Sequence, residues 1–477
     1  MAAKASKAHI GKSPLTDATD EGKKKVWRWG IVIAIGGFLF GFDTGVISGA
    51  LLFFKDDFDL SSFQQGSVVS VLLIGAMFGA LGAGPLGSKI GRKKTLGLEG
   101  VVFLIGTIIA VAANGYEVLL IARLILGLAV GAASATVPVY LSEISPPDIR
   151  GRILTLNQLL ITVGILSAYL VNLSFSGAED WRAMFAVGAI PAIALALGSL
   201  WVPESPSWQI AQGHVDRARS MIASVAGDHR ADELVDEFSN QTSAEAEEGE
   251  ESSWKALAAR HARPALIVGL GLAAIQQFGG INTIIYYAPT IMEDTGLSAS
   301  NAVLYSVAIG IINLAMTVVS IRLVDRIGRR KLLLISLGGM FVTLTLLGLT
   351  FIADLASGLS LAMMVLYIVA FAIGLGPVFW VLIGEIFPSD VRSVGSAAAT
   401  SVNWASNFLV SLVFLTVVNA IGQGETFWIF AVICAIGFWF VGRYVPETKN
   451  REPDEIETDL GQRFGRKSEE LPGETSA

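Results

Sequence analysis

Two ionisable side chains stand where the chain is otherwise apolar. Asp43 lies fifteen residues after Arg28, inside a run of Gly, Phe, Leu and Ile, and Arg123 lies in a second such run. A charge in apolar surroundings is costly, so it is paired, functional or both. Burial opposes the Asp43 carboxylate and a nearby Arg123 favours it, which makes the pair a device that can gain or lose a proton. A static tie between two helices is the plainer reading. Six amides also interrupt apolar stretches: Gln158, Gln276, Gln277, Asn282, Asn313 and Asn403. Each amide donates and accepts at once, which matches a hydroxyl group. Trp380 and Trp404 offer indole faces of the kind that cover the apolar C–H face of a ring. Any one of these could instead be an interhelical hydrogen bond or an interfacial ring. Four histidines (His9, His214, His229, His261) and a lone Cys434 leave no metal cluster and no internal disulfide to build on.

The elements that must hold these groups are membrane spans. Of 477 residues, 53% are hydrophobic and only 16% charged, with a mean hydropathy of +0.60. That excludes a soluble globular domain and a disordered chain. About 20 mostly apolar residues cross a bilayer. Twelve windows meet this: 28–54, 67–88, 95–113, 117–141, 153–175, 182–202, 264–292, 301–323, 331–353, 361–384, 394–420 and 426–444. They are numbered spans 1 to 12. The fold class expected is an all-α membrane protein of twelve transmembrane helices in two pseudo-symmetric six-helix bundles with a cytoplasmic helical linker. The segments are a disordered cytoplasmic tail over 1–26, an N-terminal bundle over 27–202, a linker over 203–263, a C-terminal bundle over 264–444 and a cytoplasmic tail over 445–477.

Basic residues alternate sides. Lys23, Lys24, Lys25 and Arg28 precede span 1, Lys89, Arg92, Lys93 and Lys94 follow span 2, and Arg150 and Arg152 follow span 4. Arg322, Arg326, Arg329, Arg330 and Lys331 follow span 8, whereas the opposite links hold only Lys55 and Arg182. The positive-inside rule then predicts a cell-membrane protein with both termini and the linker in the cytoplasm. The linker reads as short amphipathic helices, His214–Val225 among them, followed by a tract with ten acidic residues between Asp228 and Glu251. That tract reads as a solvated linker.

The halves echo each other. Gly91-Arg92-Lys93 matches Gly328-Arg329-Arg330 at an offset of 237, Glu143 and Arg150 match Glu385 and Arg392 at 242, and Pro203-Glu204-Ser205 matches Pro446-Glu447-Thr448 at 243. A duplicated six-span unit is the architecture of secondary transporters. These motifs resemble the major facilitator superfamily. The run Pro203-Glu204-Ser205-Pro206-Ser207-Trp208, the run Pro446-Glu447-Thr448-Lys449 and Gln276-Gln277-Phe278-Gly279-Gly280-Ile281-Asn282 narrow the resemblance to its sugar porter family. It covers about residues 27–451, with Ser88 and Ser207 departing from the family pattern.

The resemblance implies a monosaccharide substrate, bound by Gln158, Gln276, Gln277, Asn282, Asn313, Trp380, Asn403 and Trp404. It implies proton coupling through Asp43 and Arg123, because proton-coupled members carry Asp and Arg at the matching positions. It also implies a cytoplasmic gate in which Glu143, Glu204, Glu385 and Glu447 pair with Arg92, Arg152, Arg329 and Arg392. The function expected is import of a monosaccharide, glucose or a related hexose, with a proton, by alternating access in the bilayer. The carrier is expected to be a monomer, not an enzyme, with no cofactor and no nucleic-acid partner. A facilitative uniporter of the same fold, or a symporter for xylose or myo-inositol, remains the alternative. No phosphate-loop sequence supports an ATP-driven pump, and the short tail argues against a sensor.

The glycines of span 1, Gly37, Gly41, Gly45 and Gly49, fall on one helix face and read as a close-packing seam. Gly279-Gly280 in span 7 and Gly374-Leu375-Gly376-Pro377 in span 10 read as helix breaks beside a cavity.

Overall fold

The computed structural model describes residues 15, 18–236, 257, 259, 261–388, 391–449, 451 and 453–465. Among these, twelve helices are long and apolar enough to cross a membrane. They are span 1 (Asp20–Asp57), span 2 (Ser62–Ile90), span 3 (Arg92–Val111), span 4 (Tyr116–Glu143), span 5 (Pro147–Ser176) and span 6 (Trp181–Trp201). The second set is span 7 (Arg263–Glu293), span 8 (Ala299–Val324), span 9 (Arg329–Ile352), span 10 (Ser357–Glu385), span 11 (Val394–Ile421) and span 12 (Gln423–Tyr444). Apolar side chains such as Ile190, Leu197, Ile436 and Trp439 remain exposed on the outer faces, as lipid contact requires.

Helix starts follow local chemistry. The Ser61 hydroxyl accepts from the Gln64 N–H and the Ser61 N–H donates to Gln64 Oε1, a capping box that opens span 2. Asp180 caps span 6 through the Ala183 N–H. Spans 2 and 3 turn at Gly91 (φ 97°), and spans 8 and 9 turn at Gly328 (φ 98°), in the left-handed half that favours glycine.

The span 1 glycine seam meets span 5. A Cβ at Gly41 would fall 1.8 Å from the Ile161 carbonyl oxygen, and one at Gly45 would fall 2.7 Å from the Ala168 Cβ. Gly37 faces Asn157 and Gly49 faces Asn172, so the four-residue step on one helix is answered along the other. Asn172 donates to the Gly45 carbonyl across this seam at 3.0 Å. Gly41→Ala should cost about 3 kcal/mol of stability by forcing two backbones apart. Gly82→Ala, with nothing within 4 Å of the new methyl, should be neutral or stabilising by about 0.5 kcal/mol. Thermal unfolding of the two variants in detergent checks the contrast, and equal melting temperatures would refute it.

The segment 1–26, expected to be a disordered tail, departs from that expectation where it is described. Span 1 starts at Asp20, capped by Thr19, whose N–H donates to the Val225 carbonyl at 3.0 Å. Leu15 and Val26 are fully buried, and Gly22 sits where a Cβ would lie 2.1 Å from Val225 O. The physical reason is tertiary. A polar stretch gains order by docking on the apolar face of the linker helix Val215–Ala226, whose Ala218, Ile222 and Val225 are buried. Lys23 Nζ adds an ion pair to Asp148 at 2.6 Å. The linker is also helical over Pro206–Ala211 and over 228–236, where Ala231, Leu234 and Val235 are buried, and the later half of the acidic tract, Glu237 to Glu251, lies outside the described residues. After span 12 a short helix, Pro453–Arg463, docks through Ile456 and Leu460.

Candidate functional site

Breaks in spans 7 and 10 build the polar centre. Span 7 stops at Gly279 and restarts after Gly280, which is left-handed at φ 91°, ψ 10°. The Tyr367 hydroxyl takes up the Gly279 carbonyl at 2.8 Å. Span 10 breaks at Gly374, and the Ser336 hydroxyl accepts the Leu375 N–H at 3.0 Å. Gln276 Nε2 donates to the Leu375 carbonyl at 3.0 Å. Every freed backbone group so named has a partner, as it must away from water.

Four of the expected substrate residues come together there. Gln277 Nε2 donates to Asn403 Oδ1 at 3.0 Å, Asn403 Nδ2 to Gln276 Oε1 at 2.7 Å, and Asn282 Nδ2 to Gln277 Oε1 at 2.8 Å. The result is an uncharged, buried amide chain across spans 7 and 11. The other four stand apart from it. Gln158 on span 5 and Asn313 on span 8 are partly exposed, and among the described residues neither side chain has a hydrogen-bond partner. Those two helices pack against each other across the bundles. Trp380 is 44% exposed and lies edge-on to Phe379. Trp404 is buried against Phe40 of span 1, with ring centroids 5.7 Å apart.

Asp43 and Arg123 are each 1% exposed. Arg123 Nη1 donates to Asp43 Oδ1 at 2.7 Å and Oδ2 at 2.8 Å, and its Nε donates to the Val68 carbonyl at 3.2 Å. One span 7 side chain reaches this pair's surroundings. The Tyr286 hydroxyl faces Thr44 of span 1 and Asn407 of span 11 and lies in the field of both charges.

The expected gate needs correcting in its pairings. Arg92 bonds Glu143 at 3.0 Å and Arg329 bonds Glu385 at 2.9 Å, each pair within one bundle. Glu204 instead accepts from the backbone N–H groups of Arg92, Lys93 and Ser205, at 2.8, 3.2 and 3.0 Å. Glu447 repeats this with the N–H groups of Arg329 and Arg330 at 2.8 and 3.2 Å. Both carboxylates therefore cap the first turn of spans 3 and 9, where unsatisfied N–H groups collect. A Cβ at Gly91 or Gly328 would strike that carboxylate at 2.1 or 2.6 Å, which is why the turn needs glycine. Burial pushes the Glu204 carboxyl above its usual range, and its three backbone donors pull it back. Arg392 donates to the Phe387 carbonyl, and among the described residues neither it nor Arg152 forms an ion pair with these acids. Arg92 and Arg329 each open a helix directly after the turn glycine and reach the neighbouring span, whereas the Arg392 guanidinium is turned back onto its own loop at Phe387.

The bundles meet at the end opposite the basic loops. Lys55 Nζ bonds Glu293 Oε2 at 2.7 Å, joining span 1 to span 7. Asn419 of span 11 bonds Ser62 of span 2, and the Tyr169 hydroxyl of span 5 donates to the Ile285 carbonyl of span 7 at 2.9 Å. A Cβ at Gly66 would lie 2.3 Å from the Leu412 carbonyl oxygen, so spans 2 and 11 nearly touch there. These contacts leave one trace in the sequence: Lys55 is one of only two bases on that side.

A profile of the sugar (and other) transporter family matches residues 29–460. The chain belongs to that family. It is 41% identical over 444 residues to a D-xylose transporter of Levilactobacillus brevis, covering 92% of this chain and 96% of the relative. It is 39% identical over 448 residues to the galactose-proton symporter of Escherichia coli strain K12, covering 92% and 94%. The solved structure of the xylose transporter XylE from E. coli, in a partially occluded inward-open conformation, superposes with a TM-score of 0.79 at 30% identity. That alignment covers 90% of this chain and 100% of the other. The transporter family, the twelve spans and the two-bundle fold therefore agree.

Proposed function

We propose that this transporter imports a monosaccharide together with a proton by alternating access. The observation that carries the reading is a buried Asp43–Arg123 pair, both carboxylate oxygens bonded, in the same chain as an uncharged run of four hydrogen-bonded amides. The amides suit a neutral polyhydroxyl ligand, and the pair suits a coupling ion. Relatives named for xylose and for galactose with a proton support both halves. Hexoses and pentoses present the same hydroxyl chemistry, and the hexose reading stands first. The bundles are taken as residues 27–202 and 264–444 and the linker as 203–263. The basic loops and both termini lie in the cytoplasm, and the carrier works as a monomer in the plasma membrane, without a cofactor and without enzymatic chemistry.

The mechanism follows from which contacts can change. With the outer end closed by Lys55–Glu293, the conformation faces inward. Sugar bonding to Gln277, Asn282 and Asn403 draws spans 7 and 11 toward Gln158 of the other bundle. The weakened helix at Gly279–Gly280 bends to follow. Protonation of Asp43 removes the charge that holds Arg123, so spans 1 and 4 shift relative to each other. Because the proton and the sugar bias the same rocking equilibrium, each changes the affinity for the other.

Uptake of labelled sugars into proteoliposomes, with and without an imposed pH gradient, tests this. Accumulation above equilibrium that disappears with an uncoupler is expected. Equilibration alone would make the protein a facilitator, and no uptake of any sugar would overturn the substrate class. The outer closure has its own test. Glu293→Gln should weaken a half-buried ion pair worth about 1 kcal/mol. That raises the outward-facing fraction roughly fivefold, read as labelling from outside of a cysteine placed at Ser62. Unchanged labelling would mean Lys55–Glu293 holds nothing shut.

A further inference from the structure

Span 3 carries a second carboxyl inside the N-terminal bundle. Glu99 is 4% exposed, and neither of its oxygens has a hydrogen-bond partner among the described residues. Its setting follows from register. Spans 3 and 4 run antiparallel, with Arg92 bonded to Glu143 at their basic ends. Seven residues inward on each helix, Glu99 comes level with Thr136, whose buried hydroxyl has no other partner among the described residues and faces the Glu99 carboxyl. At about 1.5 Å per residue, that level lies roughly 10 Å behind the Arg92–Glu143 pair.

The charges named on the surrounding helices are bonded elsewhere or stand at the helix ends. On span 4, Arg123 lies about 20 Å beyond Thr136 by the same rise and holds Asp43 of span 1. Tyr140 bonds the Pro203 carbonyl, while Tyr116 and Glu117 occupy the far end of the helix. Span 6 packs along span 3, and its one titratable side chain, Arg182, donates to the Ala113 carbonyl at that same far end. Lys89 of span 2 is exposed at the basic end. An ionised carboxylate in this seam would have no cation and only the Thr136 hydroxyl to donate to it, a cost of several kcal/mol. A neutral acid needs only an acceptor for its own O–H, and Thr136 supplies one.

We propose that Glu99 is a second proton-binding site, separate from the Asp43–Arg123 pair, which carries its proton as a neutral acid facing Thr136 while spans 3 and 4 are closed at their basic end. The internal repeat supports this. At the offset of 237 the C-terminal bundle has Ser336, a neutral hydroxyl bonded across its own bundle to Leu375. Glu99 can play the equivalent neutral part only while protonated. When the Arg92–Glu143 pair parts, water reaches two turns further in. The carboxyl O–H then breaks, its proton passes to that water and a hydrated carboxylate remains. The ligand is the proton alone, so the inference stands whichever solute the carrier moves.

Infrared spectroscopy of the full chain in lipid nanodiscs at neutral pH, compared between H2O and D2O, tests it. The carbonyl stretch of a protonated carboxylic acid should be present in the wild type and lost in Glu99→Gln. It should persist in Asp43→Asn. Glu99→Gln has the shape and hydrogen bonding of the neutral acid and should keep the wild-type melting temperature within a few degrees. An acid band unchanged in folded Glu99→Gln would overturn the proposal. So would failure of Glu99→Gln to fold, because that would mean an ionised carboxylate is required.

Discussion

Asp43→Asn should abolish accumulation of sugar against a gradient while leaving binding and exchange. A proton crossing about 100 mV contributes ~2.3 kcal/mol, and one pH unit adds ~1.4 kcal/mol. Together, ~3.7 kcal/mol sustains roughly a 500-fold sugar gradient at one proton per sugar. The asparagine keeps the shape of the aspartate and cannot take up a proton, so that whole factor should vanish. The structure adds a complication to be designed around. Both Asp43 oxygens are bonded to one Arg123 nitrogen in a fully buried site. Removing one partner of such a pair leaves an uncompensated charge, a cost of about 3–5 kcal/mol. The double variant Asp43→Asn, Arg123→Gln restores a neutral hydrogen-bonded pair and separates lost coupling from lost fold. The measurement loads vesicles, imposes an inward proton gradient and follows sugar and internal pH together. Accumulation by Asp43→Asn would place the coupling elsewhere, and its absence in the wild type would leave a facilitator.

The second large effect is expected at Gln277. Its Nε2 bonds Asn403 and its Oε1 accepts from Asn282, so it is the middle link between spans 7 and 11. Gln277→Ala removes a group that can both donate to and accept from one sugar hydroxyl, and it strands two neighbouring amides. The expected loss is roughly 1.5–3 kcal/mol, or about 10- to 150-fold in sugar affinity. Binding to purified protein and transport KM, each at normal surface expression, would show it. Unchanged affinity would remove the amide chain from the substrate path. Gln276 is a different case within the same motif. Its amide nitrogen is already held by the Leu375 carbonyl, so its first role is to brace the break in span 10.

Several of these features were legible in the residues alone. Span number, the two-bundle repeat and the pairing of Asp43 with Arg123 follow from local composition and from the cost of charge in hydrocarbon, which no tertiary contact can override. The span 1 glycine seam was legible for a similar reason, since a four-residue step of missing side chains marks a face that another backbone must approach. The roles of Glu204 and Glu447 were not. A carboxylate near an arginine can bond its side chain or the N–H groups of its helix start, and only the turn at Gly91 or Gly328 decides which. Nor did the residues reveal that the segment before Asp20 docks on the linker, because a polar stretch acquires order only from the apolar face it meets. The side on which the bundles close is also tertiary. One sequence must support both facing states, so its composition encodes neither, and the closure resides in the contacts Lys55–Glu293, Ser62–Asn419 and Tyr169–Ile285 that this conformation makes.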